Sequence, residues 1–243
     1  MTISNPGKLL AFLAAASFFA CKEPEPSPAI PHFTKGDQLF RANDFAAAAE
    51  EYAQALKLDP KQDTKTWEKA AFTYLKAGNH DKAGEYLLKG LETKPSADYK
   101  LETYKNLAGM FLQAGNLDQA EHWYGEVMKL DPKDDQSLTW LAEIASIRGG
   151  ARSQKAPVSV PQLETAISRY DQVIVMTPAT PTPYINKRIA LIRYANHLNE
   201  QIEQTKDKDV QKKLQARVEE LKAKLDVTTK KLSEVSKAAR ASR

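Results

Sequence analysis

The side chains able to do covalent or acid–base chemistry are few in this 243-residue chain: one cysteine, Cys21, and four histidines, His32, His80, His122 and His197. No two histidines stand four apart, the spacing that sets two metal ligands on one helical face, and no HEXXH run occurs. A glycine-rich phosphate loop and a GXSXG elbow are also missing. The acid pairs Glu50-Glu51 and Asp134-Asp135 are adjacent in sequence, and adjacent residues of a helix point in different directions, so neither makes a good acid–base dyad. The chain is therefore expected not to be an enzyme and to need no metal or cofactor.

Cys21 needs its own explanation, since a lone cysteine forms no internal disulfide. Residues 1–8 carry Lys8 and the amino terminus as positive charges, and residues 9–20, LLAFLAAASFFA, are apolar apart from one serine. Twelve helical residues reach roughly 18 Å, short of the ~30 Å hydrocarbon core, so the run reads as an export signal rather than a membrane span. The box Phe18-Phe19-Ala20-Cys21 resembles the cleavage site of bacterial lipoproteins, although Phe19 stands where that family prefers a small residue. The resemblance implies a signal peptide over 1–20 and a diacylglyceryl, N-acylated Cys21 in the mature protein. Several acyl chains give a stable anchor where one does not. The alternative is ordinary secretion with a free thiol, a liability in an oxidising compartment. Residues 21–31 then form a tether whose segment KEPEPSPAIP holds four prolines. Such a segment stays extended and would hold a folded body some 30 Å from the lipid at about 3 Å per residue. Lys22 is not the aspartate that retains enterobacterial lipoproteins in the inner membrane, so the periplasmic face of the outer membrane is the expected location.

The elements that must position any site come next. Pro60, Pro95, Pro132 and Pro178 each end an apolar helical pattern, at intervals of 35, 37 and 46 residues. Ahead of the first three lie NDFAAAAEEY, GNHDKAGEYL and GNLDQAEHWY. Small residues recur in register at Gly36, Ala71, Ala108 and Ala142, and again at Ala48, Ala83, Ala120 and Ala166. Bulky ones follow at Tyr52, Leu87, Tyr124 and Tyr170. This resembles the tetratricopeptide repeat, a 34-residue helix–turn–helix unit. The resemblance implies an all-α solenoid of helical hairpins, with about four repeats over 32–182. Gly78 and Gly115 fall where a first helix ends in a left-handed residue, with Asn43 the substitute in the first repeat. Asp44, Asn79 and Asn116 follow as helix caps.

Two departures from the repeat stand out. Lys35 occupies a leucine position, which predicts a loosely packed terminal unit. The fourth repeat is split by an insertion at 149–161, and a loop that long is either functional or disordered. Arg148, Arg152 and Lys155 give it three positive charges and no acid, so partner contact and a tolerated insertion both remain open.

Residues 183–243 depart from the pattern as a basic C-terminal extension. Residues 183–205 predict a long helix with one stripe through Ile185, Ile189 and Ile192 and another through Leu191, Leu198 and Ile202, implying burial on two sides. The cluster TKDKD, 205–209, reads as a turn or a solvated helical stretch. Leu214, Val218, Leu221, Leu225, Thr228, Leu232 and Val235 then form a heptad seam. Its cover is either residues 183–205 folded back, in a monomer, or a second chain in a coiled-coil dimer; the monomer is preferred because the second stripe otherwise lacks a contact. Residues 186–243 hold fifteen Lys/Arg against eight Asp/Glu. That charge suits an anionic partner such as a membrane surface or acidic polymer, while the export signal argues against nucleic acid.

The resemblance also implies a groove for a protein or peptide partner along the first helices. Phe40, Phe72, Leu75, Lys105 and Trp140 are the candidates there, with Arg148, Arg152 and Lys155 on the insertion. Asp37 and Phe72 stand where a carboxylate clamp needs asparagine, so no clamp is expected. The expected function is a non-catalytic interaction scaffold, lipid-anchored in a bacterial envelope and assisting assembly of an envelope complex. The alternative is a structural tether or oligomerisation module acting through the basic C-terminal helices.

Overall fold

The computed structural model describes residues 27–93 and 96–241. The cleavage box and Cys21 lie outside the described residues, as does Pro95. Ten helices follow one another among the described residues: α1 (Ile30–Arg41), α2 (Phe45–Leu58), α3 (Thr64–Lys76), α4 (His80–Thr93), α5 (Ala97–Gln113), α6 (Leu117–Leu130), α7 (Asp135–Arg148), α8 (Val160–Met176), α9 (Pro181–Gln204) and α10 (Lys208–Ala241). Each odd-numbered helix pairs with the next even-numbered one, and the five hairpins stack in chain order. The result is an all-α solenoid.

The helix boundaries follow from backbone chemistry. Gly78, Gly115 and Asn43 take φ of 77°, 75° and 62° at the turns inside the first three hairpins, the left-handed region that glycine and asparagine enter most readily. Side chains then cap the following helices. Asp44 Oδ1 accepts from the Ala47 amide at 3.2 Å, Asn79 Oδ1 from Lys82 at 3.1 Å, and Asn116 Oδ1 from Gln119 at 3.2 Å. Pro31 lies in the first turn of α1, so the helix takes in the last two residues expected in the tether. Proline is tolerated there because the first amides of a helix have no intrahelical partner.

Small residues let the hairpins close. Ala48, Ala71, Ala83, Ala108, Ala120, Ala142 and Ala166 are buried at the crossings. A Cβ on Gly36 would come within 2.8 Å of the Tyr52 ring, so this crossing has room for glycine only. The terminal unit is not loose despite Lys35. That side chain reaches across to Glu51 at 2.5 Å, next to the His32–Glu51 contact at 2.7 Å, and replaces an apolar contact with ion pairing.

At the other end α10 folds back along α9, and Leu191, Tyr194 and Leu198 of α9 pack with Val218 and Leu221 of α10. The chain turns at 205–207, where Asp207 Oδ1 accepts from the amides of Asp209 and Val210 at 2.9 and 3.2 Å. Gln211 Nε2 donates back to the carbonyls of Ile202 and Thr205 at 3.2 and 2.9 Å, satisfying the end of α9. Thr228 is tolerated in the apolar seam because its hydroxyl donates to the Lys224 carbonyl at 2.7 Å. The two stripes of α9 fare differently: Leu191 and Leu198 are buried, while Ile185 remains 42% exposed. Burial on both sides is therefore incomplete.

Leu221 sits at the centre of the α9–α10 contact and is 1% exposed. Leu221→Ala should destabilise the hairpin by about 2–5 kcal/mol, seen as a lower urea midpoint followed by circular dichroism.

Candidate functional site

Two first helices, α3 and α5, line an open groove with an apolar strip. On α3 Glu68, Phe72 and Leu75 recur at spacings of four and three and so share a face. They line a groove of about 590 Å³ together with Glu102, Lys105, Asn106 and Gln113 of α5, and Ala71, Leu87 and Met110 also line it. Phe72 is 47% exposed and adjoins other apolar lining residues of the groove, so it belongs to an apolar patch rather than standing alone. Phe40 of α1 extends the strip, its ring 6.2 Å from that of Phe72. Phe40, Phe72 and Leu75 thus come together. Trp140 does not join them; its ring stacks on Tyr124 of α6 at 6.4 Å and 15°. Burial, with Asp134 adding a smaller effect, pushes the Tyr124 phenol up to about 12.

The charges of the groove differ from the sequence reading. Lys105 points at Asp134, at the start of α7, and forms a part-buried ion pair with it. Asp37 is equally engaged: it accepts from the Tyr52 hydroxyl at 2.6 Å and pairs with Lys69. Glu68 and Glu102 have no ion-pair partner among the described residues, so the groove presents uncompensated carboxylates beside an apolar strip. A larger hollow of about 660 Å³ lies over Trp67, Tyr74 and Tyr86, and four of its six charged lining groups pair with one another while Lys57 and Glu92 have no ion-pair partner among the described residues. There Lys82 and Lys89 pair with Glu50 and Glu85 at 2.8 and 2.6 Å.

Tetratricopeptide repeat profiles match the chain over residues 29–62 and 63–133. The chain is a tetratricopeptide repeat protein. Among solved structures, a TPR repeats protein (BF2334) from Bacteroides fragilis NCTC 9343 superposes with a TM-score of 0.57 and 14% identity, over 88% of this chain and 93% of that one. The MamA protein superposes with a TM-score of 0.52 and 18% identity, over 86% and 92%. At these identities the likeness concerns the fold. A comparison with curated protein sequences gives no match. The tetratricopeptide array makes the chain a protein-interaction scaffold.

The profile matches stop at residue 133, ahead of the hairpin that carries the insertion. That insertion is ordered and packed. Gly150 turns it with φ of 76°, and a Cβ there would meet the Pro157 carbonyl oxygen at 2.6 Å, so the loop closes on itself only with glycine. Arg193 of α9 donates to three of its carbonyls: Gly150 at 3.2 Å, Gln154 at 3.1 Å and Ala156 at 2.9 Å. Ala151, Val158 and Val160 pack against the α8–α10 core.

Two of the three insertion cations are consumed. Arg148 pairs with Asp118 at 2.5 Å and with Glu121. Arg152 grips Glu143 through Nε at 2.6 Å and through Nη2. Lys155 is exposed, with no ion-pair partner among the described residues. Glu143 also accepts from the Tyr170 hydroxyl at 2.8 Å and Asn186 Nδ2 at 3.4 Å, so it ties α7, α8, α9 and the insertion together. Burial first, and the Glu143 charge second, push the Tyr170 phenol up. Sequence reasoning passed over Arg193. The available signal was a cation within a long helical pattern, on the face shared with Ile189, Ile192 and Asn196.

Asp134 is the most heavily used carboxylate near the groove. Burial opposes its ionisation, but the Lys105 and Ser137 hydrogen bonds win and hold its carboxyl below the usual carboxylate range. Its folded pKa lies under the unfolded one, so its contribution is complete above the unfolded value of about 3.9 and is lost as pH falls through the folded value. Asp134→Ala should cost about 2 kcal/mol at pH 7, since it removes a helix cap and leaves Lys105 unpaired. Urea unfolding at pH 7 and again near pH 2 checks this: the difference from wild type should shrink at the lower pH.

Proposed function

We propose that the protein is a non-catalytic scaffold, lipid-anchored at Cys21 in a bacterial envelope, whose α3–α5 groove docks a partner segment during assembly of an envelope complex. The observation that carries this is the exposed Phe72 over an open apolar groove, flanked by the carboxylates of Glu68 and Glu102. A segment with apolar side chains next to Lys or Arg meets that chemistry. Lys105 acts inside the protein by fixing α5 to α7, rather than on the partner.

The apolar run ahead of Cys21 and the prolines after it support the anchor. No helix among the described residues is long and apolar enough to cross a membrane. The outer membrane is the proposed site, as Lys22 follows the cysteine. The cover that α9 lays over Val218 and Leu221 supports a monomer, because the centre of the α10 seam is then buried within one chain.

Two measurements test the scheme. Affinity capture from detergent-solubilised envelopes should recover a partner with wild type and at least about tenfold less with Phe72→Asp at equal helicity. Equal recovery would move the docking site elsewhere. Cys21→Ser should shift the protein from the membrane to the soluble fraction with the array still folded. An unmodified Cys21 in membrane-bound wild type, read by mass spectrometry, would overturn the anchor.

A further inference from the structure

Helix α10 is the last layer of the array, and α9 is the helix it packs along. Val218, Leu221 and Thr228 are its buried positions. Turned away from them, Lys208, Lys212, Lys222, Lys230, Lys237 and Arg240 are all exposed. At about 3.6 residues per turn these side chains fall within an arc of about 80°, so they form one stripe down the helix. The stripe runs about 48 Å from Lys208 to Arg240, at about 1.5 Å per residue.

Ion pairing within the chain leaves this stripe positive. Glu219 pairs with Lys222 at 2.9 Å, Glu220 with Lys224 at 2.8 Å and with Arg217, and Glu234 with Lys231 at 2.9 Å. Six of the ten Lys/Arg in α10 have no ion-pair partner among the described residues, against two of its five acids, Asp209 and Asp226. Five of those six cations stand on the stripe, where Asp226 is the one unpaired acid. The unmatched charge at this end of the array is thus opposite in sign to that of the α3–α5 groove.

We propose that the outer face of α10 binds the surface of an anionic lipid bilayer through the phosphate groups of its lipids. The other exposed stripe positions, such as Gln215 and Ser233, are polar. With no apolar side chain to insert, the helix lies on the headgroups and is held by charge. The spacing of the cations favours lipid over a folded acidic protein. Lipids diffuse laterally and collect beneath each cation, whereas a rigid partner has to present carboxylates in register along about 48 Å. This attraction adds up over the cations near the surface and falls off within a Debye length. The face rests on the envelope reading for its bilayer but needs no lipid on Cys21, so it and the anchor stand or fail separately.

The test uses a chain that begins at Lys22, which keeps every described helix and lacks Cys21. Co-sedimentation with vesicles of phosphatidylcholine and about 30% phosphatidylglycerol should show binding at least about tenfold stronger than with phosphatidylcholine alone, at about 0.1 M salt. Raising the salt to about 1 M, where the Debye length is about 3 Å, should remove the difference. Lys208→Glu, Lys212→Glu, Lys230→Glu and Lys237→Glu combined should weaken binding to the anionic vesicles at least about tenfold. The same four positions changed to Gln should give an intermediate loss. A control combining Lys57→Glu, Lys61→Glu, Lys65→Glu and Lys133→Glu has the same net charge as the α10 Glu variant. It should bind within about threefold of the parent, because its changes lie on other elements. All eight positions are exposed, so circular dichroism should show unchanged helicity. Equal binding to both vesicle types, or equal losses in the two Glu variants, would overturn the proposal. Capture of soluble polyphosphate with no capture of vesicles would overturn it too, and assign the face to an acidic polymer.

Discussion

The close crossing of paired helices over small residues is the constraint on which the rest of this molecule depends. At Gly36 the Tyr52 ring sits where a Cβ would be, and buried alanines recur at the corresponding crossings of the next hairpins. That approach brings bulky partners such as Tyr124 and Tyr170 into the interior, where burial raises their phenol pKa values. It also sets where each first helix stands relative to the next, and so fixes the width of the α3–α5 groove. Phe72 is exposed because α3 spends its other faces on α2 and α4. Apolar exposure here follows from the packing geometry and is not a packing defect.

Much of the fold was legible from the chain because the signals were local and repeated. Gly78, Gly115 and Asn43 mark left-handed turns, and Asp44, Asn79 and Asn116 mark caps, each readable within four residues of its partner. The charge pattern of the sites was not legible, for a physical reason. Lys105 meets Asp134 across 29 positions, and Arg148 meets Glu121 across 27, so each partner belongs to a different helix. A cation read alone in sequence looks free to bind a ligand. Once the hairpins stack, Lys69, Lys82, Lys105 and Arg148 each reach an acid of another helix. What remains open is the unmatched remainder, and in the α3–α5 groove that remainder is carboxylate.

The insertion shows the same limit in another form. Its length and composition left disorder and function equally open, because neither reveals what will hold a loop down. The holding residue, Arg193, is 37 to 43 positions away from the carbonyls it binds. Its guanidinium offers several donors in a rigid fork, so one side chain can satisfy backbone groups that would otherwise need water or regular structure.

That single side chain changes how the far end of the array behaves. In a solenoid each hairpin touches only its neighbours, and stability is close to a sum of unit and interface contributions. Here Glu143 binds groups from the insertion, α8 and α9, and Arg193 returns from α9 to the insertion. The fourth and fifth hairpins are thereby joined through polar contacts as well as through the apolar face of α8. A loop held this way is ordered before any ligand arrives, and ordering entropy already spent in folding need not be spent again on binding. The insertion is therefore tied to α7, α8 and α9 by hydrogen bonds to side chains and backbone as well as by the apolar packing of Ala151, Val158 and Val160.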